Sequence, residues 1–369
     1  MKKLAIDCMS ISKTKTGVGV VLFNILKNLN VKNIEITLFF NRELTEDELK
    51  LLSKYKIKII KVSNQILWEQ IIFPYKIRNK YDYVWYPANT GSLFLKKIKK
   101  ISTIHDVIFT KNKDEIPFSG ILKKDLGRIY RKIIVKKIAK ESERIYTVSE
   151  FSKLDILRTY KVKKDKILTV YNALDDKFKV EKIKNVEEKH GLLSFGSDEK
   201  RKNTELMIRI YNELIIMDNK WKEISLTLYG FKNYKESKIY NLIEKLNLKE
   251  NIIIKEYVSD DELINLYLEN KIFCFLSSYE GFGLPILEAM ACGTPVVALN
   301  NSSIPEVSND AAVLIDKINI KEMAKVINNL YFNEKKCNEL VSKGLNNIRN
   351  FSWEKSAEKI ENDLERLIK

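Results

Sequence analysis

Residues 277–307 read SSYEGFGLPILEAMACGTPVVALNNSSIPEV and follow the apolar run IFCFL at 272–276. The apolar run predicts a buried β-strand, and the glycine-containing loop after it leads into a stretch of helical composition. Gly281 and Gly283 let the backbone approach a ligand closely, and Pro285 suits the first position of a helix. Free backbone amides and the helix dipole at such a start attract negative charge. The segment therefore predicts an anion-binding loop between a strand and a helix.

Two carboxylates accompany this loop. Glu280 precedes it, and Glu288, eight residues later, is expected in the first turn of the helix. A carboxylate accepts two hydrogen bonds at once, so one acid could bind sugar hydroxyls near a reacting carbon and the other the paired hydroxyls of a ribose. The alternative is purely structural: Glu288 would interact with its own helix dipole, and the glycines would form an ordinary tight turn.

Together with GTPVVA at 293–298 and IPEV at 304–307, this segment resembles family 4 of the retaining glycosyltransferases, whose E-x7-E motif has this form. The resemblance is closest to the branch of bacterial O-antigen mannosyltransferases. It implies a GT-B fold of class α/β, in which two doubly wound Rossmann-like domains face a central cleft. It also implies a catalytic role for Glu280, no cofactor, and a UDP-, GDP- or dTDP-linked sugar as donor. The donor-binding residues implied within the segment are Gly281, Phe282, Gly283, Leu284 and Glu288.

Two upstream motifs extend the resemblance. The segment TGVG, with Gly17 and Gly19, resembles the family's N-terminal glycine loop, which approaches the donor diphosphate. The segment TIHDVIF places His105 and Asp106 at the end of a predicted strand and resembles the family's His-Asp pair beside the transferred sugar. The resemblance implies a catalytic role for His105 and an acceptor-side role for Asp106. A core histidine or a helix cap is the structural alternative for His105.

A third motif supplies positive charge. In FGSDEKRKN, Arg201 and Lys202 follow a predicted strand and precede a predicted helix, where the family has basic residues that bind the donor phosphates. The chain departs from the family at Ser197, which stands where many members have a basic residue, so neutralisation of the diphosphate falls to Arg201 and Lys202. The sequence contains no D-x-D pair and only two histidines. We therefore expect that no metal is required.

The rest of the chain repeats one pattern of strands and helices. A length of 369 residues predicts two domains of about 150 to 200 residues each. We assign an N-terminal acceptor-binding domain to 1–175, a polar linker to 176–190, a donor-binding domain to 191–350, and a C-terminal helix capped by Ser352 to 351–369, which could pack back on the first domain. Strands are predicted at 4–7, 34–40, 57–62, 83–86, 101–104, 145–148 and 167–170, and then at 192–195, 224–229, 252–254, 272–276, 296–299 and 312–315.

A net charge of +16 suggests a negatively charged partner, although part of the excess could lie on solvated faces. Residues 96–144 hold 15 Lys or Arg against 6 Asp or Glu. Within that stretch an apolar stripe at helical spacing lies among basic residues, which favours contact with an anionic membrane surface. The alternative is a helix whose apolar stripe faces the core. The stripe consists of Leu122, Leu126, Ile129 and Ile133.

The cysteines and the N-terminus bear on location. Cys8, Cys274, Cys292 and Cys337 form no C-x-x-C pair, which is typical of reduced thiols in the cytosol. Asp7 interrupts the first apolar stretch too early for a signal peptide, and no apolar run approaches the ~20 residues that cross a bilayer. We expect a cytoplasmic protein attached peripherally to the inner face of the cell membrane.

These observations predict transfer of a hexose to a glycan acceptor, with a polyprenyl diphosphate-linked glycan favoured, in the synthesis of a bacterial O-antigen or capsule. A soluble sugar or glucan is the alternative acceptor. Nucleic-acid binding is a different class that the charge alone would allow, but the sequence shows no helix-turn-helix, zinc or RNP motif, and we expect no nucleic-acid partner. A dinucleotide-dependent oxidoreductase fits less well, because Leu22 occupies the third glycine position of G-x-G-x-x-G after Gly17 and Gly19.

Overall fold

The computed structural model describes residues 1–12, 17–112, 122–178, 180, 182–231, 233–256 and 258–368, with the side chains of 122–124 left aside. The chain forms two compact units. The first contains the described residues of 1–172 together with 352–368, and the second contains those of 173–351.

A parallel sheet of seven strands forms the centre of the first unit, in the order β3-β2-β1-β4-β5-β6-β7. Its strands are β1 (Lys2–Asp7), β2 (Ile34–Phe40), β3 (Lys56–Ile59), β4 (Tyr83–Tyr86), β5 (Lys99–Thr103), β6 (Ser142–Thr147) and β7 (Ile167–Thr169).

A parallel sheet of six strands forms the centre of the second unit, in the order β10-β9-β8-β11-β12-β13. Its strands are β8 (Leu192–Phe195), β9 (Leu226–Tyr229), β10 (Ile252–Lys255), β11 (Ile272–Phe275), β12 (Val296–Leu299) and β13 (Ala312–Ile315).

Helices connect the strands in both units. The first unit contains α1 (Gly17–Asn28), α2 (Glu46–Leu51), α3 (Gln65–Leu67), α4 (Phe73–Ile77), α5 (Leu122–Glu141), α6 (Glu150–Tyr160) and α14 (Trp353–Leu367), with a π-helical turn at Trp68–Ile72. The second contains α7 (Thr204–Met217), α8 (Lys238–Lys245), α9 (Asp260–Glu269), α10 (Leu284–Ala291), α11 (Ile304–Ser308), α12 (Ile320–Tyr331) and α13 (Glu334–Asn347).

The predicted fold class is confirmed, since both sheets are parallel and carry crossover helices. Each predicted strand is present, and the differences are confined to strand ends; β3, for example, ends at Ile59 and not at Val62. The buried strands form where they were predicted because a parallel strand covered on both faces requires a continuous apolar run. All four residues of β4, β9, β11 and β12 are buried.

The C-terminal helix α14 belongs to the first unit, although it follows the whole of the second in sequence. Ser352 caps it, accepting a hydrogen bond from Lys355 N, as predicted. Asp363 forms an ion pair with Arg144 Nε at 2.9 Å and accepts a hydrogen bond from Tyr146 OH. Helix α14 is therefore fixed to β6 by a charged and hydrogen-bonded contact.

Strand order reverses at one place in each sheet, between β1 and β4 and between β8 and β11. Loops at the carboxyl ends of the two central strands diverge at such a point and leave room for a ligand. In the second unit these are the loops after β8 and β11, which carry Arg201, Lys202 and Glu280.

The four cysteines are buried and unpaired. Among the described residues, no helix is long and apolar enough to cross a membrane.

Candidate active site

The loop after β8 holds the two predicted phosphate-binding cations. Residues Lys200–Lys202 form a short 3-10 helix that ends at Asn203, whose φ of 53° is left-handed. Asn203 Nδ2 donates to Leu276 O at 2.7 Å, and Ser278 N donates to Arg201 O at 2.8 Å. These contacts hold the basic segment against the loop after β11.

Glu280 lies between the two cations. Its Oε1 is 2.9 Å from Arg201 Nη1 and 2.7 Å from Lys202 Nζ. Burial alone would raise the pKa of Glu280, but the charges of Lys202 and Arg201 outweigh it and hold the pKa below its usual value. Burial lowers the pKa of Lys202, although Glu280 opposes this shift. Three residues that the sequence assigned to sugar and to phosphate thus form one ion-paired cluster.

The helix after the loop differs from the prediction in one respect. Helix α10 begins at Leu284, with Gly283 as its N-cap at φ 111°, and its first turn contains no acidic residue. Glu288 is the fifth residue of the helix, so the expectation that it lies in the first turn is wrong. Pro285 was the predicted first residue, but the helix begins one residue earlier, which places Glu288 beyond a first-turn contact with the helix dipole.

Glu288 instead accepts a hydrogen bond from a tyrosine. Tyr267 OH lies 3.1 Å from Glu288 Oε2, and Tyr229 OH lies 3.0 Å from Tyr267 OH. Burial raises the pKa of Glu288 to about 7, although the hydrogen bond from Tyr267 acts in the opposite direction. Near neutral pH this carboxyl group therefore exchanges between a neutral form and an ionised form.

Phe282 was predicted to bind the donor, but its side chain is buried and packs edge-on against Phe351 at a ring distance of 5.6 Å. Any donor contact by Phe282 must therefore come from its backbone. Gly283 is buried and Leu284 and Gly281 are half-buried beside it. A Cβ atom on Gly283 would lie 3.3 Å from Ile304 Cδ1, so both its φ and its surroundings favour glycine.

His105 and Asp106 lie in the first unit, directly after β5. His105 is buried, its Nε2 is 3.0 Å from Pro87 O, and its backbone N–H donates to Asn89. Burial lowers the pKa of His105, so the imidazole is neutral at pH 7. It lines a cavity of about 20 Å³, room for about one water molecule, together with Trp85, Tyr146 and Ile360 of α14. Asp106 accepts a hydrogen bond from Ile108 N, a local turn contact.

Gly17 and Gly19 lie in the first turn of α1, whereas Thr16 of the predicted glycine loop lies outside the described residues. A Cβ atom on Gly17 would have no neighbour within 4 Å among them, and the φ of Gly17 is not left-handed. Close approach of a ligand at Gly17 stays a prediction.

Three further groups were not identified from the sequence. Tyr267 contacts Glu288, and Ser302 and Ser303 contact the loop that carries Glu280. Lys189 is fully buried and donates to Cys292 O and Gly293 O, both at 2.8 Å, at the C-terminal end of α10. Burial lowers its pKa to about 8. No sequence motif marks these residues, because their partners lie at least 21 residues away in the chain.

Within the described ranges, no group of three or more His, Cys, Asp or Glu side chains could hold a metal ion. Arg201 and Lys202 lie at the reversal of strand order in the second unit and can neutralise the negative charge of a bound diphosphate. Metal independence stays a prediction.

Two family models match adjoining parts of the chain: Glycosyltransferase Family 4 over residues 15–178 and Glycosyl transferases group 1 over residues 175–346. Together they cover every strand of the two sheets except β1, and they include the cluster around Glu280. The chain belongs to the family 4 glycosyltransferases.

Curated relatives of this glycosyltransferase include the O-antigen chain mannosyltransferase B of Escherichia coli, 29% identical over 75% of this chain and 73% of that protein. The serotype-specific mannosyltransferase WbdA of Escherichia coli is 27% identical over 70% of this chain, which spans only 32% of WbdA. Among solved structures, Anabaena HepE in complex with UDP-glucose has a TM-score of 0.73 at 15% identity, over 99% of this chain and 100% of HepE. This likeness shows the fold.

Proposed function

We propose that this glycosyltransferase moves a hexose, specifically mannose, from a nucleotide diphosphate-sugar to a growing bacterial surface glycan, with retention at the anomeric carbon. The cluster of Arg201, Lys202 and Glu280 at the reversal of strand order carries the proposal, because it supplies fixed positive charge beside a carboxylate. Mannose and the O-antigen context rest on the names of the relatives. The nucleotide-sugar donor is supported by the UDP-glucose bound to HepE.

The chemistry follows from this charge arrangement. As the bond between the anomeric carbon and the diphosphate oxygen breaks, negative charge develops on the leaving group, and Arg201 and Lys202 stabilise it. The acceptor hydroxyl attacks from the same face and passes its proton to the departing phosphate oxygen, so the configuration is retained. Glu280 orients and stabilises the sugar, and Glu288 accepts hydrogen bonds from the two ribose hydroxyls. His105, neutral at pH 7, is assigned to hold the transferred sugar by hydrogen bonding.

A donor screen tests this proposal. The protein is incubated with UDP-, GDP- and dTDP-linked sugars and an acceptor glycan extract in the presence of EDTA, and transfer is followed by radiolabel. We expect one mannose donor to be used with EDTA present, and NMR of the product to show the anomeric configuration of that donor. Use of a different sugar would overturn the mannose assignment. Loss of activity in EDTA would overturn metal independence, and a product of inverted configuration would overturn the retaining mechanism.

The acceptor is proposed to be a lipid-linked glycan, reached from an anionic membrane surface. Leu126, Ile129 and Ile133 of α5 are 56%, 47% and 56% exposed, so the alternative in which this stripe faces the core is wrong for these three residues. The core contacts of α5 come from the opposite side of the helix. Its buried side chains are Ile134, Val135, Ile138 and Ala139.

Exposed basic residues lie beside these apolar side chains, including Lys132, Lys136 and Lys140. Each basic side chain close to an anionic bilayer contributes about 1 kcal/mol to binding, and apolar side chains at the interface add to it. A solvent-exposed stripe of this composition matches a bilayer surface better than a soluble acceptor does. The lipid-linked acceptor is therefore preferred to the soluble glucan.

Replacing Ile129 and Ile133 by Ser is expected to lower co-sedimentation with anionic liposomes about tenfold, because both apolar side chains are lost from the membrane contact. Leu154→Ser is the matched control, since Leu154 is 47% exposed on α6 of the same unit. Binding of the wild-type protein should also weaken as salt is raised. Equal binding by the variant and the control, or binding insensitive to salt and to anionic lipid, would remove the membrane surface from the proposal.

A further inference from the structure

We propose that Ser302 and Ser303 are positioning residues that fix Glu280 for sugar transfer, a role that rests on the proposed function of Glu280. Glu280 N donates to Ser302 Oγ at 3.2 Å, and Ser303 Oγ donates to Glu280 O at 3.0 Å. Both backbone polar groups of Glu280 are thus held by two consecutive serines. Ser303 Oγ also lies 2.6 Å from Phe282 O, so its single proton is shared between two carbonyls of the same loop.

The serines are themselves held in place. Ser303 is fully buried and precedes α11, and Ser302 has a left-handed φ of 48°. A residue other than glycine in this conformation costs free energy and persists only where its surroundings require it. Ser302 Oγ donates to Asn301 Oδ1 at 3.0 Å, and Asn301 Nδ2 donates to Ser277 O at 3.2 Å. Residues 301–303 therefore contact the start, the middle and the end of the Glu280 loop.

Glu280 is held from a second direction by its side chain. Arg201 and Lys202 both contact Oε1, while the serines fix the backbone from which the side chain extends. When a donor diphosphate draws the two cations toward its own oxygens, the backbone contacts and the hydrogen bond between Ser277 and the carboxylate remain. The serines then help to determine where the carboxylate lies relative to the sugar, and a misplacement of ~1 Å at a reacting centre can cost ~100-fold in rate.

Kinetics of two serine variants test the proposal. Ser303→Ala should lower kcat about 10- to 100-fold while the KM for donor and the Kd for nucleoside diphosphate change by less than about threefold, because Arg201, Lys202 and Glu288 keep their contacts. Ser303 is buried, so its variant could fold poorly. Ser302→Gly removes the acceptor for Glu280 N but suits the left-handed backbone, so kcat should fall while Tm is no lower than that of the wild type.

Ser308→Ala is the matched control. Ser308 is a fully buried serine of α11, and its hydroxyl has no hydrogen-bond partner among the described residues, so this variant should keep the wild-type kcat. A double-mutant cycle adds the decisive comparison. If Ser303 acts through Glu280, Ser303→Ala causes no further loss of kcat in a Glu280→Gln background.

The outcomes separate the two proposals. The positioning role is overturned if the serine variants keep the kcat of the Ser308→Ala control. It is also overturned if Ser303→Ala lowers kcat by the same factor with and without Glu280→Gln. Both results leave the role of Glu280 intact. A Glu280→Gln variant with wild-type kcat overturns the role of Glu280 and the positioning role with it.

Discussion

Glu280→Gln is expected to lower kcat for sugar transfer about 100- to 1,000-fold, the cost of removing one group that stabilises charge in a transition state. The same substitution should tighten the binding of nucleoside diphosphate several-fold. Arg201 and Lys202 both contact the Glu280 carboxylate in the structure, so the uncharged glutamine no longer competes with the diphosphate for them. Steady-state kinetics and isothermal titration calorimetry measure the two effects, which have opposite signs.

Glu199→Gln is the matched control for this experiment. Glu199 is exposed and pairs with Arg201 Nε at 3.0 Å, so its removal also frees Arg201 but does not change the residue assigned to the sugar. Its kcat should stay within about threefold of the wild type, as expected for an exposed ion pair. A Glu280→Gln variant that keeps normal transfer while Glu288→Ala is inactive would contradict the assignment of separate tasks to the two acids.

Affinity for nucleoside diphosphate is expected to rise about tenfold between pH 6 and pH 8, with a midpoint set by Glu288. Burial raises the pKa of this carboxyl group to about 7, so it is largely neutral at pH 6 and largely ionised at pH 8. Only the ionised carboxylate can accept hydrogen bonds from two ribose hydroxyls with both of its oxygens. Hydrogen bonds to a charged group are worth ~1.5 to 3 kcal/mol. Calorimetry across this range measures the change.

Two variants and one ligand sharpen the test. Glu288→Gln should bind weakly at both pH values and lose the pH dependence. Tyr267→Phe removes the hydrogen bond that lowers the pKa of Glu288, so the midpoint should move to higher pH. A 2′,3′-dideoxynucleoside diphosphate lacks both hydroxyls and should bind with little pH dependence. A flat profile for the ribose ligand from pH 6 to pH 8 would remove Glu288 from the ribose site.

The sequence predicted the fold well because the central strands β4, β9, β11 and β12 are buried along their whole length. Continuous apolar runs such as IFCFL at 272–276 have few other stable locations, and glycine or polar residues mark where they end. The candidate site could be predicted from the sequence for a related reason. Glu280 and Glu288 belong to one short segment, and strand order places the carboxyl ends of β8 and β11 side by side.

The contacts that support the site could not be predicted, because their partners are distant in sequence. Lys189 lies in the polar stretch that was assigned to a linker, yet it is fully buried and binds carbonyl groups 103 and 104 residues away. Tyr267 has the spacing of a core aromatic, and only the folded chain brings its hydroxyl to Glu288. Glu288 itself was placed one residue too early in α10, because Gly283 is the N-cap and the helix already begins at Leu284, before Pro285.

The position of α14 has a consequence for the order in which the chain folds during synthesis. The described residues of the second unit lie within 173–351 and have all left the ribosome before 352–368 emerge. The unit made first in sequence, by contrast, still lacks Ile360, which lines the His105 cavity, and Asp363, the partner of Arg144. The nascent chain is therefore expected to complete its second unit first, while the first waits, partly uncovered, for α14.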